Sequence, residues 1–266
     1  MKQELINHFA GWYLDLQIHA ENYYLVLTDD MDSYYSCRFL TKRFGIKIGG
    51  FYKFGEGVYL TEDAKNSNKQ PIYVDCSVVK DGVMCFDNHR CVLTNHMCIN
   101  PNLINDRWDD YGYNGKYCGG TLMFLCALYC GDYFSELEKE FMLAVDSFFV
   151  GWYRADGRFR EVNEKWLDLL EMPDLRRILN EHDYKYFQNL IAKYQLKEKI
   201  DIIDGHLVTY ADILPHDEFK LYVPTRNKIV HKSELVQMEI KNNIYNAAEV
   251  YKGVYICDFE QKGEKR

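Results

Sequence analysis

Tyr23-Tyr24-Leu25-Val26-Leu27-Thr28-Asp29-Asp30-Met31-Asp32-Ser33, running on through Tyr34 to Phe44 and Gly45, is the stretch whose reading decides the fold. Residues 23–28 are apolar and β-prone, as a buried strand should be. In residues 34–44 the apolar side chains Tyr35, Phe39, Leu40 and Phe44 fall at helical spacing, and Gly45 is a C-terminal helix signal. Three carboxylates therefore sit where a strand hands over to a helix. In open α/β sheets, ligands bind at that carboxyl end of the strands. Crowded acids repel one another unless something positive lies among them, and a divalent metal is the obvious candidate. The competing reading is an ordinary Asp-rich turn whose Asp or Ser caps a helix.

Two later segments repeat the grammar. Pro71-Ile72-Tyr73-Val74-Asp75 is a short apolar strand ending in an acid, and Gly82-Val83-Met84-Cys85-Phe86-Asp87-Asn88-His89-Arg90 is another. Strand ends gather on one edge of a parallel sheet, so Asp30, Asp32, Asp75 and Asp87 can converge although distant in sequence. Asp146 falls late in an expected helix over 134–149, in an otherwise apolar turn (Leu143, Ala144, Val145, Phe148, Phe149). A carboxylate there must face solvent, be paired or bind metal, because burying it alone is prohibitive. Gly119-Gly120-Thr121 opens an apolar helix over 122–129, whose first N–H groups either receive an anion or are simply N-capped.

The remaining chain suggests an α/β fold: a parallel sheet flanked by helices over residues 1–150, then a smaller α+β domain over 151–266. An amphipathic helix is expected over 4–16, and a second strand over 46–54, with 58–60 continuing it after a turn. Beyond Gly151 come charged helices over 161–196 and strand-like segments at 206–210, 219–223, 235–240 and 254–257. Arg226, Lys228, His231 and Lys232 form a cationic cluster of the kind that usually lies on a solvated edge.

Composition narrows the function classes. A net charge of -8 argues against coating long duplex nucleic acid, which needs a basic surface, but it leaves room for a short anionic ligand. Nine cysteines, an odd count, with no secretory leader pattern, suggest a reducing, cytoplasmic protein without disulfides. Cys126 and Cys130 lack a second pair for zinc and read as core residues. No stretch approaches the roughly 20 apolar residues of a membrane span. Nothing in the sequence speaks to oligomeric state.

Taken in order, four of these features resemble the DHH phosphoesterase superfamily, which includes single-strand exonucleases, nanoRNases, cyclic-dinucleotide phosphodiesterases and manganese inorganic pyrophosphatases. The resemblance spans roughly residues 24–149. Thr28-Asp29-Asp30-Met31-Asp32-Ser33 is similar to the family's first motif, Val74-Asp75 to its second, Asp87-Asn88-His89 to its Asp-His-His signature, and Asp146 to its fourth-motif carboxylate. The resemblance implies a centre for two ions, Mn²⁺ or Mg²⁺. Asp75 would bridge them, Asp30 would hold one, and Asp32 with Asp146 the other, with Asn88 as a further ligand. It also implies catalytic roles for Asp75 and His89, and phosphate contacts from His89 and Arg90, to which Gly120 and Thr121 are added by the anion reading of their helix. The implied activity is hydrolysis of a short nucleotide-containing phosphodiester by metal-activated water. The chain departs from the family at Thr28 and Asn88, where histidines are usual, and has no glycine-rich substrate motif after Gly151. Oxygen-only ligation would suit Mg²⁺ or Mn²⁺ better than softer ions. The alternative is a degenerate member that binds a nucleotide or protein partner without hydrolysis.

Overall fold

The chain opens with a four-residue helix, α1 (Gln3–Ile6), followed by a 3-10 segment, Gly11–Gln17, in place of the single helix expected over 4–16. Ala10 is extended (φ -63°, ψ 137°), which breaks the helix just before Gly11. Leu5, Trp12, Tyr13 and Leu16 are nevertheless buried. Their spacing reported which side chains go inward, not the hydrogen-bond pattern of the backbone. This is a computed structural model, and it describes residues 1–91, 93, 95–108, 112–129, 135–209, 215–232, 234–235 and 244–261, without the side chains of 105–108, 112 and 251.

Strand β1 (Tyr23–Thr28) and helix α2 (Met31–Phe44) follow. Asp30 caps α2 by accepting the Ser33 N–H at 2.9 Å, and Gly45 ends it in the left-handed conformation (φ 76°), which only glycine adopts freely. Strand β2 (Ile48–Lys53) returns parallel to β1, and β3 (Gly57–Thr61) turns back antiparallel to β2. Helix α3 (Glu62–Asn66) leads to β4 (Gln70–Val74), on the other flank of β1 and parallel to it. Strands β5 (Met84–Phe86) and β6 (Cys98–Ile99) add on in parallel.

Six helices follow: α4 (Thr121–Tyr129), α5 (Glu136–Val145), α6 (Phe148–Trp152), α7 (Arg158–Leu170), α8 (Pro173–Glu181) and α9 (Tyr184–Tyr194). A small hairpin of β7 (Asp201–Ile203) and β8 (His206–Val208) precedes β9 (Phe219–His231), β10 (Ile244–Tyr251) and β11 (Val254–Glu260). The segment expected as a strand at 235–240 lies outside the described residues except Leu235, as do Tyr210 and Cys130.

The main sheet runs β10-β11-β9-β3-β2-β1-β4-β5-β6. The fold is α/β as expected, but the sheet is mixed. The strands from β2 to β6 are parallel, whereas β3, β9, β11 and β10 extend it antiparallel. Residues on both sides of position 150 share one core. Leu25, Leu27, Phe51 and Phe124 pack in the same cluster as Trp166, Leu179, Phe187 and Phe219. Strand β9 also hydrogen-bonds directly to β3.

The opposite face carries Val26, Tyr52, Tyr73 and Cys85, and β10 closes it with Tyr245. The Tyr73 and Tyr245 hydroxyls are hydrogen-bonded, and Asn246 bridges Val78 just past β4. The sheet therefore curls until its β10 edge comes back against the end of β4. Asp258, fully buried on β11, pins this curl. Its Oδ2 accepts the Tyr52 hydroxyl (2.7 Å), the Thr225 hydroxyl (2.6 Å) and the Gly55 N–H (3.1 Å). Among the described residues all cysteines are free, and no helix is long and apolar enough to cross a membrane.

Removing the Asp258 carboxylate leaves three donors without their acceptor, each unsatisfied buried group costing about 1–3 kcal/mol. Urea denaturation of Asp258→Ala is expected to show a loss of about 3 kcal/mol or more, against less than about 0.5 kcal/mol for the surface control Asp63→Ala. Equal stability of the two variants would mean that Asp258 does not hold the curl.

Candidate functional site

Strands β1 and β4 lie side by side, but the chain leaves β1 towards β2 and leaves β4 towards β5, in opposite directions across the sheet. Their carboxyl ends thus mark a topological switch point, where a crevice opens in sheets of this kind. Ser33 holds the two ends together. Its hydroxyl accepts the Thr28 N–H at 2.8 Å and donates to the Val74 carbonyl at 2.7 Å. A cavity of about 190 Å³ lies here, and its walls include Asp30, Asp32, Asp75, Asn88, His89 and Asp146. Met31, Val145 and Leu196 supply the apolar wall, and the segment Lys197-Glu198-Lys199 crosses its rim.

Each acid is positioned by a specific local device. Asp32, in the first turn of α2, reaches across to α4. There Oδ2 accepts the Thr121 N–H (2.6 Å) and Oδ1 the Leu122 N–H (3.0 Å). This needs glycine at 120, because a Cβ there would sit 2.6 Å from Asp32 Oδ1. Asp75, the residue after β4, takes a left-handed backbone (φ 63°), an uncommon conformation that Asp and Asn tolerate best. Its Oδ1 accepts the Thr121 hydroxyl at 2.7 Å. Asp146 lies not within a helix, as expected, but in the break between α5 and α6 (φ -111°, ψ -127°), which turns it into the cavity.

The segment after β5 supplies the other wall. Asp87 is fully buried and accepts from His89 Nδ1 (2.8 Å) and Asn100 Nδ2 (2.8 Å), so it orients the imidazole. Asn88 Nδ2 donates to the Gly119 carbonyl (2.8 Å) and to Asp146 Oδ2 (3.1 Å), while Asn88 Oδ1 is buried with no hydrogen-bond partner. Asn102 steadies the loop by donating to the Asn88 and Tyr117 carbonyls and accepting the Tyr117 N–H. One donor atom each from Asp75, Asp87 and His89 lie within 4.8 Å of one another, the spacing of a cluster that could hold a metal. No other such group of three His, Cys, Asp or Glu donors occurs among the described residues.

The charge balance is strained. Burial, reinforced by Asp146 and Asp30, pushes the Asp32 carboxyl up to about 8 against the relief given by the Leu122 and Thr121 N–H groups. Burial, then Asp30 and Asp32, raises Asp75 well above the usual carboxylate range. Burial also raises Asp146, partly offset by His89 and Lys197. For His89, burial works against the charged ring, but Asp87, Asp75 and Asp146 outweigh it and lift the imidazole to about 10. The cavity carboxyls therefore hold their protons more tightly than free carboxylates do, beside an imidazole whose charged form they favour.

Three residues expected to meet a phosphate lie outside the cavity wall. Arg90 turns away to Glu249 on β10 (3.3 Å) and sits over the Tyr113 ring. Gly120 and Thr121 stand behind Asp32 and Asp75, and that carboxylate already fills the α4 N-terminus. Thr28 is buried but does not line the cavity, and His96 pairs with Asp81 at the surface (2.6 Å). Lys197 and Lys199 were missed by sequence reasoning. Lys197 Nζ donates to the Val145 and Asp146 carbonyls (3.4 Å each), and Lys199 pairs with Asp29 (3.1 Å). Their signal, a Lys-Glu-Lys run after a charged helix, is indistinguishable from an ordinary solvated turn. The Asn100-Pro101-Asn102 run was visible, but nothing local revealed that both amides serve the 87–89 loop. Compared with protein-family models, curated proteins and solved structures, the chain matches none.

The raised groups make stability depend on pH with a definite sign. The folded state binds more protons than the unfolded chain from about pH 4, the unfolded carboxylate value, upwards. Stability from the carboxyls is lost as pH rises towards their folded values, and that from His89 as pH rises from about 6.5 towards 10. In chelator, the melting temperature is expected to fall steadily between pH 5 and 9 (~), and millimolar Mg²⁺ or Mn²⁺ to flatten that slope. A melting temperature that rises with pH, or ignores divalent ions, would contradict this description of the cavity.

Proposed function

We propose that the protein is a metal-dependent phosphoesterase that hydrolyses a short nucleotide-containing phosphodiester, either a short oligonucleotide or a linear or cyclic dinucleotide. One observation carries the reading. Asp30, Asp32, Asp75, Asn88 and Asp146, expected as metal ligands from four separate stretches of sequence, line one cavity together with His89. The resemblance of those stretches to the DHH phosphoesterase motifs supports the same reading. The unpartnered Asn88 Oδ1 and the carboxyls of Asp32 and Asp75, raised by burial and by neighbouring acids, fit a divalent cation, which would bring positive charge among them.

Divalent ions such as Mn²⁺ or Mg²⁺, two if all ligands engage, would neutralise phosphoryl charge there and activate water for in-line attack. The chain's own groups do the rest. Asp87 holds the His89 ring through Nδ1, leaving Nε2 to present a proton to a phosphoryl or leaving-group oxygen. Lys197 and Lys199 at the rim favour an anionic ligand over a neutral one. Met31, Val145 and Leu196 exclude bulk water from one wall, which strengthens every charge interaction inside.

A second reading, binding of a nucleotide or partner without hydrolysis, is favoured by Thr28, which lies outside the cavity wall where the family's histidine would serve. Turnover decides between the two. With Mn²⁺ or Mg²⁺, the protein is expected to cleave at least one of a panel of linear dinucleotides, cyclic dinucleotides and short oligonucleotides. Asp75→Asn, which keeps a residue suited to the left-handed backbone, is expected to lose about 100-fold or more. Metal-dependent binding of a panel member without any turnover would favour the second reading, and neither binding nor turnover would overturn both.

A further inference from the structure

A phosphodiester extends on both sides of its scissile phosphate, and the cavity has no room for the whole of it. At about 190 Å³ it falls below the roughly 300–1,000 Å³ of pockets that enclose a small organic ligand. A phosphate and its cations fit, and the flanking nucleosides lie outside. Resting on the phosphoesterase reading, we infer that the exposed face of β9 carrying Arg226 and Lys228 binds the sugar-phosphate backbone of a single-stranded oligonucleotide whose scissile phosphate sits in the cavity. Although the chain has a net charge of -8, residues 219–232 hold Lys220, Arg226, Lys228, His231 and Lys232 and no acid. All five of these side chains belong to exposed residues. Lys228 meets Glu234 only at 3.9 Å with both side chains more than half exposed, a pair worth little, and Arg226 has no ion pair among the described residues.

Strand order brings that face to the site. Strand β2 is parallel to β1, β3 is antiparallel to β2 and β9 antiparallel to β3, so β9 runs in the direction of β1. Thr28, at the end of β1, pairs with Tyr52, Lys53 with Gly57, and Gly57 with Pro224. Beyond Pro224, β9 therefore passes the sheet edge on which the cavity opens. There Arg226 pairs with Phe259, Lys228 with Cys257 and Val230 with Tyr255, and alternate residues of a strand share a face. Val230, Tyr255 and Cys257 belong to one packed cluster with Leu93, in the segment that follows His89. Strand β10 fastens the same segment, its Glu249 N–H donating to the Arg90 carbonyl at 2.9 Å. His89 stands in the cavity wall with its side chain 44% exposed, so an oligonucleotide leaving the cavity past His89 meets the cationic face. Cations on an extended strand suit phosphates, which fixes the ligand's path without reading its bases.

Charge on a strand also blunts its edge against aggregation, a role that glutamate fills as well, so charge reversal keeps that role and removes the attraction. Fluorescence anisotropy on the full chain in chelator, which withholds the divalent ion, reads binding of fluorescein-labelled single-stranded hexanucleotides of RNA and of DNA. The double variant Arg226→Glu, Lys228→Glu is expected to bind about 10-fold more weakly or worse, with a flatter salt dependence. The surface control Lys65→Glu, on α3, is expected to change neither. With Mn²⁺, wild-type kcat/KM is expected to be about 10-fold or more higher for a hexanucleotide than for a dinucleotide, an advantage the double variant loses. Hexanucleotide binding indifferent to the charge reversal would overturn the inference. So would a wild type that cleaves dinucleotides as efficiently as hexanucleotides, a comparison that needs no variant to fold and leaves the phosphoesterase reading standing. Cation-dependent binding without turnover of any probe would retain the surface and overturn hydrolysis instead.

Discussion

Like charges forced into one buried space set the terms for this structure. Asp32, Asp75 and Asp146 all have carboxyls raised chiefly by burial, with neighbouring acids adding to the penalty for Asp32 and Asp75. A protein that keeps such a cluster must surround it with donors or cations. Here the N-terminal N–H groups of α4 go to Asp32, the Thr121 hydroxyl to Asp75, and the Asn88 amide to Asp146. Gly120 is dictated by that arrangement, since any side chain there would collide with Asp32.

Topology explains why the acids meet. Chain reversal between β1 and β4 leaves a gap at the carboxyl ends of two adjacent parallel strands, and Ser33 fastens the gap's two sides. The antiparallel strands serve this region from behind. The Arg90 carbonyl accepts the Glu249 N–H at 2.9 Å, and Asn246 Nδ2 donates to the Ser77 carbonyl at 2.8 Å, so β10 braces both the loop that carries Asn88 and His89 and the chain after Asp75. The curl pinned by Asp258 is in this sense part of the site's scaffold.

Local signals in the sequence carried the first half of the fold. The 23–45 stretch reads correctly as strand, capped turn and helix because β1 is an almost continuous buried apolar run, Asp30 caps α2, and Gly45 stops it. The acids were legible for the same reason: each follows an apolar strand or lies in an apolar turn. Other features were not local. Strand β9 joins β3 across more than half the chain, and no residue in either strand announces the partner. Arg90 looked like a phosphate ligand from its place beside His89, yet the distant Glu249 claims it. Asp146 was read as helical because α5 and α6 have continuous apolar spacing, and the break between them shows only in the backbone angles.

We propose the cavity at the ends of β1 and β4 as a divalent-cation site. Anomalous diffraction at the manganese edge, from crystals grown or soaked with Mn²⁺, addresses it without assuming any substrate. An anomalous peak is expected inside the cavity, bounded by Asp30, Asp75, Asn88 and Asp146. A cavity without a peak under saturating Mn²⁺, or manganese bound only at unrelated surface acids, would contradict it.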